Sequence, residues 1–239
     1  MVSPLKRQRE RLLAASSSKA VALAATAGSI DSLHLRLIEF EQDKLKLKGF
    51  MQIAEKVNYK REVLIPKYKE VAEQYLAAGE SYQNPIFTDL IIWLFDTKDL
   101  ETAIDWLFKA IELDLPTPEN FKRSSWAVVC ADFVLEWAET QLPNGHSVEP
   151  YFSQVFKKID KEWKLPEKLE AKWYKFAGYG LLLNEKGDPQ PSQVGDSERL
   201  EQAKKLLEIA HDKHDKIGVQ TKIKQIDMRL NALAEGKNL

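Results

Sequence analysis

The feature that most constrains this chain is a seam. Ile30, Leu33, Leu37, Phe40, Lys44, Leu47, Met51 and Ala54 follow one another at alternating spacings of three and four residues. That spacing keeps one stripe of a helix apolar over more than three heptads, with Lys44 as its one charged position. Between the seam positions lie Arg36, Glu39, Glu41, Asp43, Lys46 and Lys48, the charged flanks that a helix needs when one edge is covered and the other is wet. The pattern predicts one continuous helix from about residue 30 to Ala54. A helix of about 28 residues carrying this seam would be about 42 Å long at 1.5 Å per residue, more than a compact core requires, so its edge must be covered by another helix of this chain or of a second copy.

The rest of the chain also reads as helices. Ten Gly and ten Pro among 239 residues are too few for a many-stranded sandwich or barrel. Turn and cap signals divide the sequence into helical stretches. Pro4 after Ser3 opens a short helix to Ala15, and Gly28-Ser29 breaks the chain before the seam. Pro66 ends one turn and opens a helix stopped by Gly79. Asn84-Pro85 starts Ile86–Phe95, and Asp99 caps Leu100–Leu113. Further helices are expected over Ser124–Thr140, Pro150–Trp163, Pro166–Asn184, Ser197–His214 and Val219–Ala234, with Gly187–Gly195 as a loop. The fold class is all-α. The pairs Pro85–Leu113 and Pro166–His214 are loosely tetratricopeptide-like, with Ala103, Trp106, Ala110, Ala203, Leu207 and Ala210 at the tight packing positions. Three segments result: a basic amino-terminal segment (1–28), a long-helix arm (29–80) and a helical-hairpin domain (81–239).

Charge is spread unevenly behind a formal net of −1. Residues 1–20 carry Lys6, Arg7, Arg9, Arg11 and Lys19 against the single acid Glu10. Residues 81–150 carry twelve acids against four basic groups, and 151–180 swing back to seven lysines against four acids. Such asymmetry points to one part of the chain meeting a polyanion. The candidate contacts are Lys6, Arg7, Arg9 and Arg11, followed by Lys44, Lys46, Lys48, Lys60 and Arg61. The candidate self-association positions are Ile30, Leu33, Leu37, Phe40, Leu47 and Met51. The longest stretches free of charge fall far short of the ~20 apolar residues that span a bilayer, so no membrane partner is expected. Ala20–Ala27 is too alanine-rich for a secretory signal.

Candidate chemistry reduces to structural roles. Asp89, Asp96, Asp99 and Asp105 are read as caps and solvated positions rather than a metal site. Glu162-Trp163-Lys164 and Glu170-Ala171-Lys172 have a nuclease-like triplet spacing, but helical context makes them ion-pair spacings. His211 and His214 are read as a polar helix end. Cys130, the only cysteine, cannot form an intrachain disulfide or a cysteine zinc site, and its apolar neighbours make it a buried thiol. The six tryptophans follow helical spacing and are assigned to the core. No phosphate loop, dinucleotide fingerprint or Gly-x-Ser-x-Gly is present. No catalytic residue and no metal ligand is expected.

The opening Ser3-Pro4-Leu5-Lys6-Arg7-Gln8-Arg9-Glu10-Arg11, the long charged helix, and the run Thr88 to Ala103 with its Leu94-Phe95-Asp96-Thr97-Lys98-Asp99 turn resemble the small terminase subunit of temperate, cohesive-end tailed phages, often labelled the terminase endonuclease subunit. The resemblance extends from about Ser3 to Leu233. It implies an oligomeric, non-catalytic subunit in the cytoplasm of the infected host. That subunit binds the packaging site of double-stranded viral DNA and hands it to a large terminase subunit, where ATP, magnesium and the nuclease centre are expected. Some relatives end in a basic, proline-rich tail, whereas this sequence ends Lys237-Asn238-Leu239. The alternative is a helical-repeat adaptor that binds only proteins.

Overall fold

The computed structural model describes residues 34–79, 82–119, 121 and 125–237. The expected helix over Pro4–Ala15 and the first two seam positions, Ile30 and Leu33, lie outside them. The described residues form helices joined by short turns, with one isolated bridge between Leu183 and Pro189. The all-α expectation holds. The chain separates into two compact units, one built from 34–79 with 84–93 and the other from 82–83 with 94–237.

The first unit contains α1 (34–49), α2 (Ile53–Tyr59), α3 (Ile65–Ala78) and most of α4 (Pro85–Asp96). Here the seam expectation needs correction. The helix stops at Gly49, a residue about 1 kcal/mol poorer than Ala in a helix, and restarts at Ile53. Phe50 then packs on Tyr59 with ring centroids 5.1 Å apart, fastening the break onto α2. Met51 is 95% exposed, so the apolar edge does not continue through the break. Pro66 also behaves differently from expectation. It lies inside a continuous helical run, because a π turn over Lys60–Leu64 precedes it. There the N–H of Ile65 reaches back five residues to the carbonyl of Lys60. The wider turn makes room for a ring that would otherwise clash one turn upstream. Gly79 ends α3 in the left-handed region with φ of 64°, as its position requires.

Phe40 is the centre of this unit. It is fully buried, edge-on to Tyr68 at 5.0 Å and tilted against Trp93 at 5.2 Å. Tyr75 meets Phe87 at 5.4 Å, adding a second α3–α4 contact. Asn84 caps α4 as expected, its Oδ1 accepting from the N–H groups of Ile86 and Phe87 at 3.1 and 3.3 Å.

The second unit continues with the end of α4 and α5 (Leu100–Glu112), α6 (Trp126–Gln141), α7 (Tyr151–Lys161), α8 (Glu167–Gly180), α9 (Ser197–Lys213) and α10 (Gln220–Ala234). Asp99 caps α5 as expected, accepting from the N–H of Thr102 at 3.3 Å. Ser125 caps α6, and Asp196 caps α9 through the N–H groups of Glu198 and Arg199. Trp173 is fully buried, donates to the carbonyl of Ala131 at 3.1 Å and stacks on Phe152 at 4.9 Å. Of the remaining tryptophans, Trp93, Trp106 and Trp126 are buried, while Trp137 and Trp163 are half-buried.

Helices α8 and α9 approach closely because Gly178 has no side chain. A Cβ there would lie 2.7 Å from Leu207 Cδ2 and 3.2 Å from the Ala203 carbonyl. All six of the expected tight packing positions are buried. That packing does not by itself make a tetratricopeptide repeat. The 187–195 stretch is a loop, but a fastened one. Lys222 donates to the Pro189 carbonyl and Arg229 to that of Val194. Pro191 and Val194 are buried, Val194 in a core with Leu182, Leu200, Leu207, Val219 and Ile226.

Candidate nucleic-acid interface

The basic side chains singled out from the sequence fall into distinct settings. Lys6, Arg7, Arg9 and Arg11 lie outside the described residues. Lys44 sits at the seam position nearest Phe40, and its ammonium is only part-exposed. It donates to Asp89 on α4 at 2.8 Å and to Glu41 one turn back at 2.9 Å. Burial by itself lowers the lysine pKa, but the two carboxylates more than offset this and hold it above its ordinary value. Burial pushes the Asp89 carboxyl above the usual carboxylate range, and Lys44 pulls it only part of the way back. The charged seam position is therefore a cross-link between α1 and α4.

A second network lies beside it. Lys67 of α3 reaches Glu39 at 2.8 Å and Asp43 at 2.6 Å, and the Tyr68 hydroxyl donates to the same Asp43 oxygen at 2.7 Å. For Asp43 burial acts upward, yet the bonds from Lys67 and Tyr68 prevail and its pKa is lowered. The Glu39 pKa is lowered chiefly by its hydrogen bond from Lys67. Lysines and acids on this side of α1 thus serve helix packing first.

Of the other candidates, Lys46, Lys48 and Arg61 are exposed and Lys60 is half-buried. Lys46 is exposed and lies over the Tyr59 ring at 4.9 Å. Lys48 is exposed at the end of α1. Lys60 and Arg61 stand at the π turn, Arg61 donating to Asn58 at 3.3 Å. The α1–α2 junction, closed by Phe50 on Tyr59, brings Lys46 beside the helix that leads into Lys60 and Arg61. Among the self-association candidates, Phe40 is committed to the core, Leu37 and Leu47 are half-buried and Met51 is exposed.

The carboxylates examined for catalysis have structural work. Asp89 holds Lys44, Asp99 caps α5, and Glu162 accepts from Lys158 at 2.8 Å rather than from the triplet lysine Lys164. Glu170 is held by Lys213. His211 Nε2 lies 3.1 Å from the Gln220 amide nitrogen. Cys130 is fully buried, and burial pushes its thiol pKa up. Among the described residues no group of three or more His, Cys, Asp or Glu side chains is placed to hold a metal ion. None of their helices is long and apolar enough to cross a membrane.

The sequence model for the phage small terminase subunit matches residues 37–168, which run from the seam through the α7–α8 connection. A relative from Haemophilus phage HP1 (strain HP1c1), described as a probable terminase, endonuclease subunit, is 37% identical over 198 residues, 83% of this chain and 70% of the relative. This chain belongs to the phage small terminase subunit family. The terminase, endonuclease subunit of Escherichia phage P2 is similar at 23% identity over 188 residues, 79% of this chain and 74% of that protein. No solved structure matches. The family match covers both charge networks around α1, the junction bearing Lys46, Lys48, Lys60 and Arg61, and the Asp99-capped turn. One role was out of reach of the sequence. Lys44 and Asp89 are 45 residues apart, and neither spacing nor composition indicates that they pair.

Proposed function

We propose that this chain recognises double-stranded viral DNA at the packaging site and delivers it to a large terminase subunit in the cytoplasm of the infected host. The observation that carries this reading is membership of the small terminase subunit family across 37–168. The exposed cations Lys46, Lys48 and Arg61, with the half-buried Lys60, support it, as do the basic residues Lys6, Arg7, Arg9 and Arg11. Phosphate contacts of this kind fix a protein on a duplex and give binding a steep salt dependence. ATP hydrolysis and strand cleavage, with ATP and magnesium, are assigned to the large subunit; among the described residues Asp89, Asp99, Glu162 and Glu170 hold Lys44, the α5 amino end, Lys158 and Lys213.

Self-association belongs to the same reading. Leu37 and Leu47 keep partial exposure on α1, and replacing both by Asp is expected to give smaller species in light scattering. Binding of duplex DNA by the full chain at low and moderate salt tests the central claim. Absence of binding at low salt would leave the protein-only adaptor. A second reading, cleavage by this chain itself, is favoured by the words "endonuclease subunit" in the descriptions of both relatives. Nicking of supercoiled plasmid by the purified chain with Mg²⁺ or Mn²⁺ would establish it.

A further inference from the structure

The α7–α8 hairpin carries an excess of exposed lysines that form no ion pair among the described residues. Helix α7 buries Phe152, Val155 and Ile159 and turns the opposite side outward; α8 buries Leu169, Trp173 and Tyr174. The two helices face each other through Phe152 on Trp173 and Phe156 on Tyr174, with centroids 4.9 and 5.2 Å apart. On the outward sides stand Lys157 and Lys161 of α7, Lys168 and Lys172 of α8, and Lys164 in the connection. All five are exposed, and none makes an ion pair among the described residues. In an antiparallel hairpin Lys161, Lys164 and Lys168 gather at the tip. Lys157 and Lys172 lie one turn below, each four residues and ~6 Å of axis from its neighbour.

Acids are present in the same stretch, but two of the four are held by lysines outside the set. Asp160 accepts from the Tyr174 hydroxyl at 2.8 Å, Glu162 is held by Lys158 and Glu170 by Lys213. Glu167 and Asp160, whose bond from a neutral hydroxyl leaves its charge in place, remain beside the five lysines. Helix stability does not explain the set. Lys161 in the last turn of α7 suits the helix dipole, but Lys168 is in the first turn of α8, where a cation opposes it. The like charges at the tip and one turn below it also repel one another in the free protein. A polyanion relieves both costs.

We infer that the tip of the α7–α8 hairpin is a phosphate-binding surface for duplex DNA, in addition to the amino-terminal and α1–α2 cations. A duplex strand carries a phosphate every ~3.4 Å of axis, so lysines ~6 Å apart along each helix fall about two phosphates apart. Compact ammonium groups on flexible stems suit backbone contact without base readout, so this surface would add affinity irrespective of sequence. The inference rests on the DNA-binding reading above.

The test compares three full-length proteins on one mixed-sequence DNA duplex over a range of salt. They are the unchanged chain, a variant with Lys157, Lys161, Lys164, Lys168 and Lys172 all changed to Gln, and one with Lys6, Arg7, Arg9 and Arg11 changed to Ala. Each phosphate contact contributes about 0.9 to the slope of log K against log salt, so the lysine variant should lose up to about 4.5 units of slope. Its affinity should fall at least tenfold at low salt, with an unchanged melting temperature and circular dichroism spectrum. A lysine variant that keeps the full affinity and slope while the unchanged chain binds would overturn this inference and leave the DNA-binding reading standing. Failure of the unchanged chain to bind overturns both. If the five-fold variant unfolds, the pairs K161Q/K168Q and K157Q/K172Q carry the same test, each expected to lose up to about 1.8 units of slope.

Discussion

The two units of this chain are held together by different means. In the first, α1 is fastened by one aromatic anchor, Phe40 between Tyr68 and Trp93, and by part-buried charges: Lys44 on Asp89, and Lys67 with Tyr68 on Asp43. In the second, α8 and α9 meet across Gly178, Ala203 and Leu207 over an aliphatic core, and the half-buried cations Arg199, Lys222 and Arg229 donate to backbone carbonyls. Aliphatic close packing tolerates exchange of one apolar residue for another of equal volume. A part-buried charge network tolerates almost none, because a carboxylate stripped of its partner is left desolvated. The first unit therefore gains specificity of helix placement where its seam alone would accept several partners.

The comparison breaks most sharply at Phe40. Phe40→Ala should cost about 3–5 kcal/mol, measured by urea unfolding, because the side chain is fully enclosed. Hydrogen exchange should show the loss of protection over 34–79 first, with α8 and α9 little changed at the same urea concentration. A uniform loss across both units would mean that they do not open separately.

Lys44 comes next. Lys44→Met alone should destabilise by about 2–4 kcal/mol, since it leaves Asp89 desolvated without its cation. Adding Asp89→Leu should recover most of that loss. A single variant as stable as the unchanged protein would show that the pair is a solvated contact after all.

Close packing in the second unit has its own probe. Gly178→Ala should cost about 1–3 kcal/mol, because the new methyl meets Leu207 and the Ala203 carbonyl. Combining it with Leu207→Ala should return part of the loss. At the turn between α4 and α5, Asp99→Ala should cost about 1 kcal/mol through the lost cap.

The smallest effect concerns acid. Glu39 and Asp43 have folded-state pKa values below their unfolded ones, so the folded state binds fewer protons. Their stabilisation is complete above the ordinary carboxylate pKa, near 4, and is lost as pH falls through the lower folded values. Asp89 works the other way. Its raised pKa means that the folded state binds the extra proton, so its contribution weakens as pH rises from near 4 through the folded value. Between pH 5 and pH 3, Asp43→Asn should therefore flatten the acid limb of the unfolding curve. An acid limb identical to that of the unchanged protein would remove the Lys67 network from the stability argument.

Helix identity and most helix ends were legible in the sequence because their causes are local. Asn84 and Asp99 cap as their positions require, Gly79 stops α3, and the buried faces follow helical periodicity. Family membership was legible as well, in residues that carry fold rather than chemistry. What local pattern could not give was the termination at Gly49, since the heptad spacing runs on through it, and the π turn that keeps Pro66 inside a helix. Nor could it give the meaning of the charged positions. Lys44 reads as a free cation until α4 brings Asp89 within 2.8 Å, and the lysine excess over 151–180 does not show which acids are taken until Lys158 holds Glu162 and Lys213 holds Glu170. Periodicity acts over a few residues of one chain segment and fixes which side of a helix is apolar. Whether a charge is spent or left over depends on groups tens of residues away, and only the packed structure brings those into range.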